Sequence, residues 1–268
     1  MNISRRRFAQ MALLLVALTG CATPRHVVMS SEAPSKIKAT EVVIGLSQQE
    51  ITAEITPSGI AAAAGGGLIP ALIDIMVEKS RAGDAEAAIA PVKNALIDYD
   101  FAKQLQASLD NEFRQLSWLN LQGFRTEASP DAKKVIAAAD RAKASVVLVI
   151  SVRYMLSADF SQMRVKATAT GYPKTEELVA LAKKTLPDAD PAMLYRNDFT
   201  VQKPLEGVYP NLAARGSAWG VNGGKLAREA LNGATAELAA RIAIDLESAR
   251  QSQKTVGTAG AETGPPEK

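Results

Sequence analysis

The chain has 268 residues, with 31 basic against 28 acidic side chains (formal charge +3), one histidine and one cysteine. The three arginines at positions 5–7 carry that whole excess, so the rest is balanced and leaves no basic footprint for nucleic acid or acidic lipid heads. With His26 alone near the amino end, no Ser-His-Asp, Cys-His or histidine-rich zinc constellation can be built in a folded domain, while chemistry needing only carboxylates survives.

Residues 1–20 fall into three parts. MNISRRRF is basic, AQMALLLVAL is apolar and too short to cross a bilayer, and LTG ends in small residues. This is the layout of a secretory signal peptide. Leu18-Thr19-Gly20-Cys21 then resembles the lipobox of bacterial lipoproteins. The resemblance implies cleavage before Cys21, acylation of its thiol and new amino group, and attachment to a membrane through those chains. Each buried CH₂ contributes about 0.8 kcal/mol, so two or three chains hold where one does not. An acylated Cys21 leaves no disulfide, redox thiol or cysteine metal ligand. Ala22 is not the aspartate that favours inner-membrane retention in enterobacterial members, so the expected place is the outer membrane, on its periplasmic face. Ser4-Arg5-Arg6-Arg7-Phe8 looks like the twin-arginine export motif, with an ordinary basic leader as the alternative.

Residues 21–39 are polar and carry two prolines, which suggests a flexible tether with a reach of roughly 20–25 Å. EVVIGLSQQEITAEIT suggests a strand or hairpin across 41–56. The segment 59–77 is rich in glycine and alanine. Its small residues Ala62 and Gly66 would let another helix or a second copy approach closely; a close-packed helix of the domain's own core is the alternative. Gly83-Asp84 and Pro91 punctuate the next helical stretch. Asp100 caps a helix with an inward stripe of Phe101, Leu105, Leu109, Phe113 and Leu116. SWLNLQGFRT reads as a short strand with Trp118 in the core. PDAKKVIAAADRAKAS reads as a helix with Val135, Ala138 and Ala142 inward.

Val146–Ile150 is unbroken and apolar, as in a strand buried on both faces, and after a turn at 157–161 QMRVKATAT alternates in and out. Together they predict a central hairpin. ELVALAKKTL gives a short helix and YRNDFTVQ an edge strand. Asn222 precedes a final helix with Leu226, Leu231, Ala234, Leu238, Ile242 and Leu246 along one side. RGSAWGVNGGKL reads as a glycine-rich loop, in which Trp219 is either a lid on the core or a partner contact. Residues 251–268 suggest a disordered tail. The expected fold is therefore α/β (α+β): a two-layer sandwich over residues 40–250, with a long buried hairpin in its central sheet packed by amphipathic helices.

The elements from Asp98 to Thr170, with the last helix, resemble the domain shared by the N-terminal part of TolB and the outer-membrane lipoproteins LpoB and CsgG. LQASLDNEFRQL, VIAAADRAKAS, VVLVISVRY and MRVKATAT carry the resemblance. It implies a non-enzymatic adaptor, activator or assembly factor that holds an envelope protein near the outer membrane, with no cofactor and no metal. Two alternatives stand beside it: a homo-oligomeric component assembling through 59–77, and a carboxylate-dependent hydrolase.

Overall fold

The computed structural model describes residues 26–54, 83–128, 131–138 and 144–258. Leu18 to Cys21, and the segment 59–77 with Ala62 and Gly66, lie outside the described residues. The fold is an α+β sandwich built on a six-stranded mixed sheet. Its strands are β1 (Thr40–Leu46), β2 (Thr52–Ala53), β3 (Leu121–Glu127), β4 (Val146–Leu156), β5 (Gln162–Pro173) and β6 (Tyr195–Pro204). They run in the order β3-β1-β4-β5-β6, with β2 also beside β4. The helices are α1 (Ala33–Lys36), α2 over 83–95, α3 (Phe101–Phe113), α4 (Ala132–Ala138), α5 (Glu176–Thr185) and α6 (Leu212–Thr258).

The hairpin forms where the alternation points to it. Val146 to Leu156 pairs antiparallel with Pro173 to Met163, and Met163, Val165, Ala167 and Ala169 all face the main core. β-Branched residues on β4 fit a pleated surface packed on both sides. Leu148, Ile150 and Val152 look to the main core, while Val147 and Val149 look to a smaller cluster on the opposite face. The reversal is held by Asp159, whose Oδ1 accepts from Ser157 Oγ (2.7 Å), Ser161 Oγ (2.8 Å) and Ser161 N–H (3.2 Å). Burial acts to raise this carboxyl, but those bonds and the Arg215 charge outweigh it and hold it down at about 2. A depressed carboxyl stabilises the fold above its unfolded value and loses that contribution as pH falls towards about 2. Asp159→Asn should therefore melt below the parent at pH 7, with a gap that narrows between about pH 4 and pH 2; the side chain is 57% exposed, so the gap corresponds to about 1 kcal/mol.

β1 and β2 do not form a hairpin with each other. Both run parallel to β4 on the same side, pairing with Thr40↔Val146 to Leu46↔Val152 and then Thr52↔Met155. The Gln48 side chain fills the interruption, donating to Tyr154 O (2.7 Å) and accepting from Tyr154 N–H (3.2 Å). An amide side chain can replace a ladder rung in this way because it carries both a donor and an acceptor.

The inward stripe of α3 is buried as its spacing predicts, and Asp100 Oδ1 accepts from Lys103 N–H at 2.9 Å. Phe101 stacks on Tyr154 with ring centroids 4.2 Å apart. Trp118 is half-buried against the core and donates Nε1–H to Glu247 at 3.0 Å. The side chains of Val135 and Ala138 in α4, and Ala142 beyond it, fall outside what is described; Ile136 packs on the smaller cluster.

Three expectations are corrected. The stretch from Val27 to Ile37 is no free tether. Val27 forms an antiparallel bridge with Arg196, and Val27, Met29, Ala33 and Ile37 are buried. Ser145 Oγ accepts from Lys38 and Ala39 N–H at 2.9 and 3.1 Å, tying the end of this stretch to β4. Second, residues 215–226 are helical on both sides of a break at Val221–Gly224, where Asn222, Gly223 and Gly224 are left-handed. That break resets the helical phase, so Ala227 is buried and Leu226 is exposed, while Leu231, Ala234, Leu238, Ile242 and Leu246 line the core as expected. Third, the helix continues past 250 to Thr258.

The first segment of α6 crosses α2 at backbone contact. A Cβ on Gly216 would sit 2.0 Å from Ala88 O, and one on Gly220 would sit 2.7 Å from Pro91 C. Backbone cannot rotate aside, so Gly216→Ala should destabilise by about 2–3 kcal/mol. Gly233, later in the same helix, would meet only the flexible Lys203 Cε at 3.4 Å. Gly233→Ala should stabilise by about 0.5–1 kcal/mol through helix propensity. Thermal melts of the two variants should move in opposite directions.

Candidate functional site

The two faces of the sheet are dressed differently. One is covered by α3 and α6 over the main apolar cluster. On the other, Val43, Val147, Val149, Tyr172 and Met193 pack with Ile136 of α4 and with Leu186 and Ala189. That cover protects the end of the sheet where β1 and β4 begin. Farther along the same strands the face becomes a groove of ≈ 750 Å³, with Ser47, Ser151, Arg153, Lys166, Thr168 and Asp198 among its lining.

The lining follows from pleat parity. Ser151 and Arg153 continue the face of Val147 and Val149, and Lys166 and Thr168 alternate with the buried Val165 and Ala167. Glu54, just past β2, accepts from Lys166 Nζ at 2.9 Å and also pairs with Arg164. The hydrogen bond from Lys166, with the Lys166 and Arg164 charges, outweighs burial and holds this carboxyl below its usual value. Asp198 Oδ1 accepts from Thr168 Oγ1 at 2.6 Å. Arg153 is exposed and has no ion pair among the described residues. The groove thus carries one cation more than its acids neutralise, on a floor of hydroxyls. Such a floor suits an extended, hydrogen-bonding, acidic segment.

A second groove of ≈ 420 Å³ lies between the 47–51 stretch and α2 and brings Glu50, Glu86 and Lys93 together. Lys93 Nζ lies 2.6 Å from Glu86 and 3.5 Å from Glu50, and the Glu86 hydrogen bond raises its pKa. Both carboxylates are about two-thirds exposed, so water screens them. Beside them, burial pushes the Tyr99 hydroxyl up to about 12, and that hydroxyl donates to Asn232 Oδ1. The carboxyls of Glu54, Asp98, Asp159 and Glu237 are all displaced downward. A general acid needs the opposite. Among the described residues no group of three His, Cys, Asp or Glu side chains could hold a metal ion.

Trp219 is not a contact residue. It is 1% exposed, lies within α6, and donates Nε1–H to Phe160 O at 2.9 Å. Of the two readings of Trp219 from the sequence, the lid on the core is the one realised. The sequence alternation marks Arg164, Lys166, Thr168 and Thr170 as facing outward but gives no sign that only half of that face is covered, so the groove is not legible there.

No family model matches the chain, and no curated protein matches it. Among solved structures, the crystal structure of protein XCC0632 from Xanthomonas campestris, described with family-model DUF330, is similar at 15% identity and a TM-score of 0.31. The match covers 87% of this chain and 93% of that one. Among the described residues, no helix is long and apolar enough to cross a membrane.

Proposed function

We propose that this chain is an envelope lipoprotein, held on the periplasmic face of the outer membrane by acyl chains on Cys21, and that it acts as a non-enzymatic adaptor. The observation that carries the adaptor reading is the half-bare sheet face whose groove Arg153 lines. Its occupant is an extended, acidic segment of an envelope protein. The likeness of the element order to TolB, LpoB and CsgG supports the same role. The downward-shifted acids weigh against a hydrolase, which needs a carboxyl kept protonated.

Two measurements test the two halves of this reading. Cys21→Ser should give a chain that takes up no labelled fatty acid and leaves the membrane fraction; normal labelling of that variant would refute the anchor. A photocrosslinking residue at Ser151 should capture an envelope protein, and Arg153→Glu in the same chain should reduce the capture while leaving the melting temperature unchanged. Capture indifferent to Arg153→Glu would remove the groove as the docking face.

A further inference from the structure

We infer that the docked amino-terminal stretch works as a short leash, which keeps the corner where β6 begins against the lipid headgroups. The inference rests on the acylation of Cys21 proposed above. Val27 donates to Arg196 O at 2.8 Å and accepts from Arg196 N–H at 3.0 Å, and its side chain is 3% exposed. Met29, Ala33 and Ile37 are then buried in the main cluster, so releasing this stretch would bring apolar surface into water.

Chain geometry sets the length of the leash. From Cys21 to Val27 there are six Cα steps, and fully extended they span at most about 20 Å. A tether free up to Thr40 would span about 65 Å. A folded chain of this size is roughly 45 Å across, so a leash of about 20 Å is shorter than the body it holds. The Val27–Arg196 corner, with the exposed Val28 beside it (59%), therefore stays near the bilayer. The far end of β6 at Pro204 lies eight residues along an extended strand, about 26 Å away. The loop beyond it, with Val208 fully exposed, is the distal end. The groove, whose lining includes Asp198 and Thr200, sits close above the tethered corner. Its acidic occupant is thus met within a few tens of ångströms of the headgroups, not deep in the periplasm.

The test uses the full acylated chain in vesicles that contain lipids with nitroxide-labelled headgroups. Acylated Cys21 has no free thiol, so Val28→Cys and Val208→Cys each offer one site for a fluorophore at an exposed position. Quenching should be several-fold stronger at 28 than at 208. A flexible Gly/Ser insert of about 20 residues after Pro24 should erase that difference. Equal quenching at both sites in a chain that carries the fatty-acid label would overturn the leash and leave the anchor standing. A difference that survives the insert would assign the orientation to a surface contact and overturn the leash as well. A chain without fatty acid on Cys21 would overturn both readings together.

Discussion

Val149→Asp should leave no cooperatively folded protein at 25 °C. Val149 is 6% exposed and lies in the small cluster with Val43, Val147, Tyr172 and Met193, with Ile136, Leu186 and Ala189 packed around it. No member of that cluster carries a positive charge to offset a carboxylate, and Tyr172 is its one polar side chain. The new group must either be buried as an ion or take up a proton, and each course costs several kcal/mol, with a lost valine contact added. A domain stable by about 5–15 kcal/mol does not survive that comfortably. Circular dichroism melts should show no sigmoidal transition. Lys166→Asp is the informative partner. Its alternation makes it look like a silent site, but the structure sets its Nζ 2.9 Å from Glu54, so the change places two carboxylates together. The site is partly exposed, and the loss should be about 1 kcal/mol, with the fold retained. Equal melting behaviour for the two variants would contradict this account.

Trp219→Ala should be nearly as damaging, with a loss of about 3–5 kcal/mol and a melting point lower by roughly 10 °C or more. The indole is among the largest fully buried side chains, and its removal leaves a hole between α6 and the β4–β5 turn while stripping Phe160 O of its donor. Phe160 itself is buried with a positive φ of 57°, so the turn has little room to collapse into the space. Trp219→Phe should recover much of the volume but not the hydrogen bond, and should fall between the parent and the alanine variant. A melt unchanged by Trp219→Ala would place the ring outside the core.

What the sequence shows well is what is local. The hairpin is visible because its period of two and its buried run both lie within Val146 to Ala169, and α3 is visible because Phe101 to Phe113 keep a strict four-residue step. The docked stretch is hidden for the opposite reason. Val27, Met29, Ala33 and Ile37 follow no period, and the stretch is held by segments distant in the chain, such as Arg196 and Ser145. The 215–226 helix is misread because glycine weighs against helix in isolation. Here Gly216, Gly220 and Gly224 recur every four residues on the side facing Ala88, Pro91 and Ala95. That recurrence is a readable sign of two helices touching at their backbones. The groove cannot be read in this way, because its boundary is set by where α4 and the 186–193 stretch stop covering the sheet.

The placement of α6 also bears on when the protein becomes folded. The helix supplies Trp219, Ala227, Leu231, Leu238 and Ile242 to the main core, and it comes last in the chain. The rungs it covers are themselves far apart in sequence: Thr40 meets Val146, and Val27 waits for Arg196. High contact order of this kind slows folding, because loop closure precedes any reward from packing. A polypeptide that emerges amino end first has β1 through β5 in place while their core-facing side is covered by α3 and still lacks α6. Until residue 246 or so has emerged, such a chain presents a long apolar hairpin that a holding chaperone would be suited to shield.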